Sequence, residues 1–230
     1  MGFITDSLHK GLQEEAFGAT LPPIYQVSAF KSPDMETLEK IFGGKAAGFA
    51  YTRIGNPTVA AFEQRICALE HGFGAVATSS GMAAISQALL NFLSAGDEVI
   101  ASGGLYGGTI QLFTLFKQLG ITVRYAHDLA PGALEELCSP ATKALFVETI
   151  ANPGLSVADI PALADFAHSR GIPLLVDNTT ATPFLCNPLT LGADIVIHST
   201  TKYMDGHAAQ VGGAIVDSGN FDWERYGDAF

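Results

Sequence analysis

The sequence predicts an α/β domain in which helices alternate with the short strands of a parallel or mixed sheet. Three observations predict it. From Asn56 onward, segments with apolar residues at helical spacing alternate with short, strongly apolar segments. Several of the latter, such as Pro173–Asp177, Ile195–His198 and Gly213–Val216, show no polar alternation, as strands buried on both faces do. Hydrophobic residues make up 48% of the chain, enough for a sizeable core and too many for an intrinsically disordered one.

The elements follow in order. Residues 1–50 read as an N-terminal arm, punctuated by Leu21-Pro22-Pro23 and Lys31-Ser32-Pro33. The arm holds one short helix from Asp34 to Phe42, which Gly43-Gly44 ends. Asn56-Pro57 is an N-cap followed by Pro at the first helical position. Val59, Phe62, Ile66 and Leu69 then recur at helical spacing until Gly72. Next come a strand at Ala75–Thr78, a helix at Met82–Leu93, a strand at Asp97–Ser102, a helix at Thr109–Leu119 and a strand at Ile121–Ala126. The rhythm continues with a helix at Leu134–Cys138, a strand at Ala144–Thr149 and a helix at Ile160–Ser169, then the three apolar strands named above. There are no internal repeats and no low-complexity tracts.

Composition excludes several function classes. The net charge is −11 and no Lys/Arg cluster occurs, so nucleic acid is a poor partner. Charged residues are 15% of the chain against roughly 25% in an average globular domain, which favours burial of some surface in an oligomer. Cys67, Cys138 and Cys186 are an odd number without CxxC spacing, which suits neither a disulfide framework nor a zinc site. The six histidines show no ligand spacing, so no metal is expected. Met1–Lys10 lacks the basic start and apolar core of a signal peptide. Ala75–Gly96 is interrupted by Thr78, Ser79, Ser80, Ser86, Gln87 and Asn91, short of the roughly 18 apolar residues that a membrane span needs. A cytoplasmic setting without membrane contact is the expectation.

Ligands of such sheets sit beyond the carboxyl ends of the strands, and the polar residues there are the site candidates. Phe42-Gly43-Gly44-Lys45 ends like a P-loop, but Glu39 and Ala46 stand where Gly and Ser/Thr are needed. GxGxxG after a strand, HExxH and GxSxG are all absent. Ser79-Ser80-Gly81-Met82, between a strand and a helix, is either an anion site at a helix N-terminus or an ordinary capped turn. Ser199-Thr200-Thr201-Lys202 offers hydroxyls and an ammonium, as phosphate binding needs and as solvated loops also do. Asp177 is either a cap or the partner of a buried cation. Tyr51 and Arg53 lie in a Gly-rich loop where Arg suits bidentate phosphate binding, and Tyr106 lies between glycines that let the backbone approach a flat ligand. Taken together, anion donors, a carboxylate, a stacking ring and a Lys after a strand are the parts that pyridoxal phosphate (PLP) requires.

These stretches resemble the Cys/Met-metabolism family of PLP enzymes, with the aspartate-aminotransferase-like fold. The resemblance is carried by Tyr51-Thr52-Arg53-Ile54-Gly55-Asn56-Pro57-Thr58, Ser80-Gly81-Met82-Ala83-Ala84, Leu105-Tyr106-Gly107-Gly108-Thr109, Glu148–Pro153, Val176-Asp177-Asn178-Thr179 and His198-Ser199-Thr200-Thr201-Lys202-Tyr203. Gly206-His207-Ala208-Ala209-Gln210-Val211-Gly212-Gly213, with Asp217–Trp223, is most similar to O-acetylhomoserine sulfhydrylases. Gly108 stands where methionine γ-lyases commonly carry Cys, and Asp205 where Gly usually precedes Gly-His.

The resemblance implies a transferase of methionine biosynthesis and trans-sulfuration, with residues 51–230 forming the large PLP-binding domain. The reaction implied is γ-replacement on O-acetyl-L-homoserine with sulfide or methanethiol. The alternatives are a methionine γ-lyase, an O-succinylhomoserine sulfhydrylase, a cystathionine γ-synthase or a non-catalytic PLP-binding remnant. It also implies roles. Lys202 would carry the cofactor and move protons, Asp177 would hold the pyridine nitrogen protonated, and Tyr106 would stack on the ring and serve in acid–base steps. Ser80, Gly81, Met82, Ser199 and Thr201 would bind the phosphate, Asn152 would reach the phenolic oxygen, and Thr179 would complete the site. Tyr51 and Arg53 would reach a neighbouring subunit's phosphate site, which makes the protein a homodimer or homotetramer. Family members continue beyond Gly213–Val216 into a smaller C-terminal domain, so this chain is expected to be C-terminally truncated and to turn over poorly by itself.

Overall fold

A computed structural model describes residues 2–11 and 18–229. Residues 1, 12–17 and 230 lie outside the described residues, and with them the corresponding parts of the expected 1–50 arm and of the 51–230 domain. The chain forms two compact units, Met1–Ala68 and Leu69–Phe230.

The first unit contains α1 (Phe3–His9) and α2 (Met35–Phe42), and α3 (Pro57–Glu70) begins in it. The cap expected at Asn56 holds, and Asp34, expected as the first helical residue, is the cap of α2. Asp34 Oδ1 accepts the Thr37 N–H at 2.7 Å and starts α2. Asn56 Oδ1 accepts the Thr58 N–H at 2.9 Å, with Pro57 at the first helical position of α3. The amide of Asn56 donates to the Tyr25 carbonyl at 2.9 Å, which fastens the extended segment to the start of that helix.

The second unit is a seven-stranded sheet. Its strands are β1 (Gly74–Thr78), β2 (Glu98–Ser102), β3 (Thr122–Ala126), β4 (Thr142–Glu148), β5 (Leu174–Asp177), β6 (Ile195–His198) and β7 (Gly213–Asp217). Between them run α4 (Gly81–Leu90), α5 (Gly107–Gln118), α6 (Pro131–Leu137), α7 (Ile160–Ser169) and the single turn α8 (Thr182–Leu185). The order across the sheet is β1-β7-β6-β5-β4-β2-β3. β2, β3, β4, β5 and β6 pair in parallel, and β7 runs antiparallel to both β6 and β1. The sheet is therefore mixed. The β6–β7 link contains no crossover helix, and a strand that returns without one comes back antiparallel. Among the described residues no helix is long and apolar enough to cross a membrane.

Helices cover both faces. Val99, Ala101, Phe146, Leu175 and Ile197 share one face and pack with Ile85 and Leu89 of α4 and with Phe113 and Phe116 of α5. Ile100, Leu145, Val147, Leu174, Val176 and Val196 are fully buried at the alternate positions, hence on the opposite face. There α7, with Leu163 and Ala167 buried, packs on β5. The same alternation assigns the polar residues that close the strands. Glu148 and Asp177 project to the α4/α5 face, in register with Phe146 and Leu175, while His198 projects to the other.

The helix expected at Met82–Leu93 ends at Leu90, where Asn91 caps it. Phe92 and Leu93 remain buried, so their apolarity reports packing rather than helix. Periodicity does not predict α1, α8 or the 3₁₀ segments Pro188–Leu191 and Trp223–Ala229. The last of these brings Trp223 and Tyr226 against Phe92, with ring centroids at 5.4 and 5.2 Å.

Candidate active site

The carboxyl ends of six strands and the start of β7 meet at one end of the sheet. The candidate residues of the second unit gather there through a continuous set of contacts. Ser80 caps α4, its Oγ accepting the Ala83 N–H at 3.1 Å. The N–H groups of Gly81 and Met82 in the same turn have no acceptor within the helix, as its geometry requires. Gly81 is buried against Ser199: a Cβ on Gly81 would stand 2.5 Å from the Ser199 Cβ and 2.9 Å from its Oγ. The turn after β1 and the turn after β6 therefore touch, and they pair a helix N-terminus with a hydroxyl.

Ser199 is fixed from its other side by Thr179, whose Oγ1 accepts the Ser199 N–H at 2.8 Å and donates to Asp177 Oδ1. Thr179 also donates its N–H to Asp177 at 3.0 Å. Asp177 is half-buried at the end of β5, and desolvation pushes its carboxyl above the usual carboxylate range. The Thr179 hydrogen bonds and the nearby His198 act in the opposite direction. Behind the sheet, His198 Nε2 lies 2.6 Å from Glu70 Oε1, both side chains fully buried. Glu70 also accepts from Asn178 Nδ2 at 3.0 Å.

Lys202 sits one turn beyond Ser199, its N–H reaching the Ser199 carbonyl at 3.3 Å, and its side chain is exposed. Thr201 is engaged locally. Its hydroxyl donates to the Gly212 carbonyl at 3.2 Å and accepts the Gly212 N–H at 3.0 Å. Asp205, at the position where glycine is usual, organises the next turn. Its Oδ2 accepts N–H groups from Ala209 at 2.8 Å and His207 at 3.3 Å, and these hold its carboxyl below the ordinary range.

Tyr106 and Asn152 lie on the loops after β2 and β4 and share one anchor, Glu148. Its Oε1 accepts the Tyr106 N–H at 2.7 Å and its Oε2 the Asn152 N–H at 3.0 Å. Burial is the main force raising the Glu148 carboxyl to about 7, the charge of Asp177 adds to it, and the two N–H groups oppose it. Asp177 is its partner in register across β4 and β5. The Tyr106 ring is half exposed and occupies the space where a Gly108 Cβ would stand. Sequence reasoning gives Glu148 no role beyond the end of a strand. The available signal is a second acidic residue closing a strand beside the one that ends in Asp177.

Tyr51 and Arg53 belong to the first unit. Tyr51 is bridged to Ala29, and the Arg53 guanidinium lies 5.4 Å from the Tyr51 ring centroid. Among the described residues no group of three or more His, Cys, Asp or Glu side chains could hold a metal ion.

A family described as Cys/Met metabolism PLP-dependent enzymes matches residues 4–228. The chain belongs to this family. Among curated relatives, the homocysteine synthase of Schizosaccharomyces pombe is 42% identical over 99% of this chain and 54% of its own length. The O-acetyl-L-homoserine sulfhydrylase of Corynebacterium glutamicum is 45% identical over 96% of this chain and 52% of its own. The L-methionine gamma-lyase of Porphyromonas gingivalis is 41% identical over 94% of this chain and 54% of its own. The chain thus spans about half the length of the curated relatives it matches. A structure from Campylobacter jejuni, assigned as an O-acetylhomoserine (thiol)-lyase, superposes with a TM-score of 0.91 at 34% identity, covering 96% of this chain and 55% of its own. That structure carries N'-pyridoxyl-lysine-5'-monophosphate. Cystathionine gamma-lyase from Lactobacillus plantarum superposes with a TM-score of 0.86 at 39% identity, over 95% and 55% of the two chains.

The donor set of this family member fits PLP. A helix N-terminus and the Ser199 hydroxyl suit the phosphate dianion, and the half-buried Asp177 carboxylate suits a ring N–H. An exposed primary amine, that of Lys202, stands one turn from Ser199.

Proposed function

We propose that this chain forms the cofactor-binding part of a PLP-dependent γ-replacement enzyme that replaces the acetoxy group on Cγ of O-acetyl-L-homoserine, released as acetate, with sulfide or methanethiol. The observation that carries the reading is the linked series Asp177–Thr179–Ser199–Gly81, with Lys202 on the adjoining turn. The relatives named for O-acetylhomoserine and homocysteine chemistry support the substrate class. PLP, when bound, supplies an electron sink that acidifies the substrate Cα–H.

The chain's own residues do the rest. Lys202 holds the cofactor through its Nζ, removes the Cα proton and returns protons later in the cycle. Asp177 keeps a proton on the ring nitrogen. The Gly81 and Met82 N–H groups with the Ser199 hydroxyl would hold the phosphate, joined by the Thr201 hydroxyl if it gives up its bond to the Gly212 carbonyl; Tyr106 would supply a stacking ring and Asn152 an amide for the phenolic oxygen. Tyr51 and Arg53 complete a phosphate site across a homodimer or homotetramer. A cytoplasmic location belongs to this reading.

The deciding experiment is borohydride reduction of the purified protein with PLP, followed by peptide mapping. A label on Lys202 that vanishes in Lys202→Ala is the expected result. A label elsewhere in folded protein would falsify the assignment. Product analysis with and without sulfide then separates replacement, which gives homocysteine, from elimination, which gives a four-carbon 2-oxo acid whether or not thiol is present.

A further inference from the structure

Glu148 has a role that the linked series Asp177–Thr179–Ser199–Gly81 does not require of it. It is the terminal residue of β4, nearly buried at 8% exposure, and it makes no ion pair among the described residues. Both of its oxygens are spent on backbone N–H groups of two different loops, Tyr106 at 2.7 Å and Asn152 at 3.0 Å. These loops carry the stacking ring and the amide proposed for a face and for the phenolic oxygen of one cofactor. Side-chain carboxylates that accept two N–H groups fix backbone more firmly than neutral acceptors do. Gly108 adds a second constraint, because the Tyr106 ring fills the volume a side chain there would need.

We propose that Glu148 is a positioning residue: by holding the Tyr106 and Asn152 backbones on its two oxygens, it sets the gap between the loops into which the pyridine ring fits. This inference rests on the cofactor assignment made for Lys202 and its neighbours. Its chemistry requires the ionised form. A carboxylate accepts two N–H bonds along two oxygens, whereas a protonated carboxyl offers one good acceptor and turns the other oxygen into a donor. With its pKa raised to about 7, the clamp is complete above neutrality and loosens below it. The other ionisable groups at this end of the sheet are Asp177 on β5, Tyr106, His127 against Gly103, His198 at the end of β6, and Lys202. All are present equally in wild type and in a Glu148 variant, so a difference between the two proteins isolates Glu148.

The test compares wild type, Glu148→Gln and Glu148→Asp as full chains. Gln keeps the shape but presents one acceptor and one donor, and Asp keeps the charge but is too short to reach both N–H groups. Titration of cofactor-free protein with PLP should show a Kd roughly tenfold or more higher in both variants. The ratio of variant to wild-type Kd for Glu148→Gln should be largest at pH 8 and shrink toward 1 at pH 6. Amide exchange without cofactor should quicken at Tyr106 and Asn152 and stay unchanged in β4 and β5. An unchanged Kd in Glu148→Gln, or a ratio that does not vary with pH, would overturn the inference. So would a loss of protection across the whole sheet in both variants, which assigns the carboxylate to the fold at large. Should wild type fail to take up PLP on Lys202, the functional reading fails on its own, and the exchange at the two amides still decides whether the clamp exists.

Discussion

The site constrains the identity of Gly81 tightly. Its backbone lies so close to Ser199 that a methyl group would meet the Ser199 Cβ at 2.5 Å and Cα at 2.9 Å, and neither atom is the end of a flexible chain. Gly81→Ala is expected to push apart the two turns proposed to bind the phosphate. It should cost about 1–3 kcal/mol of stability and lower PLP affinity by more than that loss alone explains. Urea unfolding together with PLP titration checks this, and equal PLP affinity in the variant would remove Gly81 from the anion site. At this scale the sequence is informative about type and silent about linkage. Ser80, Gly81, Asp177, Ser199 and Lys202 stand out because they close apolar strands or directly follow them. That Thr179 bridges Asp177 to Ser199, or that Glu148 ties Tyr106 to Asn152, depends on partners 20 to 42 positions apart, which spacing along a chain does not reveal.

Elements are legible where period and punctuation agree. The Asn56 cap, and the apolar runs of β5 and β6, appear where the residues predict them. β7 is legible as a strand but its direction is not, since direction is set by the path of the link from Ser199 to Gly212 and not by the strand's own residues. The reversal brings Gly213 against the end of β1, where a Cβ would collide with the Ser80 carbonyl and stand 2.5 Å from Thr78 Oγ1. Gly213→Ala should therefore destabilise the fold by about 1–3 kcal/mol and disturb the Ser80 cap. Thermal unfolding and the exchange rate of the Ala83 amide, which Ser80 holds at 3.1 Å, measure the two effects.

For the whole molecule, the fold buries more ionisable groups than its core needs. Glu148, Asp177 and Asp194 all have carboxyl pKa values raised by burial. A raised carboxyl pKa means that the folded state holds its proton more tightly than the unfolded chain. Stability is then highest below the unfolded value and declines as pH rises toward the folded one. For Glu148 the window runs from 4.5 to about 7, and its share is on the order of 3 kcal/mol. The net charge of −11 adds repulsion in the same direction. The cofactor-free protein should thus melt at a higher temperature at pH 5.5 than at pH 8, and Glu148→Gln should flatten that difference. A melting temperature that rises with pH over this range would contradict the burial argument. Composition foretells the layered α/β architecture because a core of this size needs many apolar residues; it holds no trace of which carboxylates the sheet encloses.

The hydrogen bonds that join Thr200 and Thr201 to Gly212 bear on how Lys202 can move. They close the link between two adjacent strands near its base, so the ends of the segment are fixed while the lysine stem stays free in solvent. With the base already ordered, the entropy lost when the amine engages a ligand is that of the side chain's rotamers and not of the loop. Lys202 thus extends from a backbone fixed at its base, so that the role proposed for its amine would not require the sheet beneath it to rearrange.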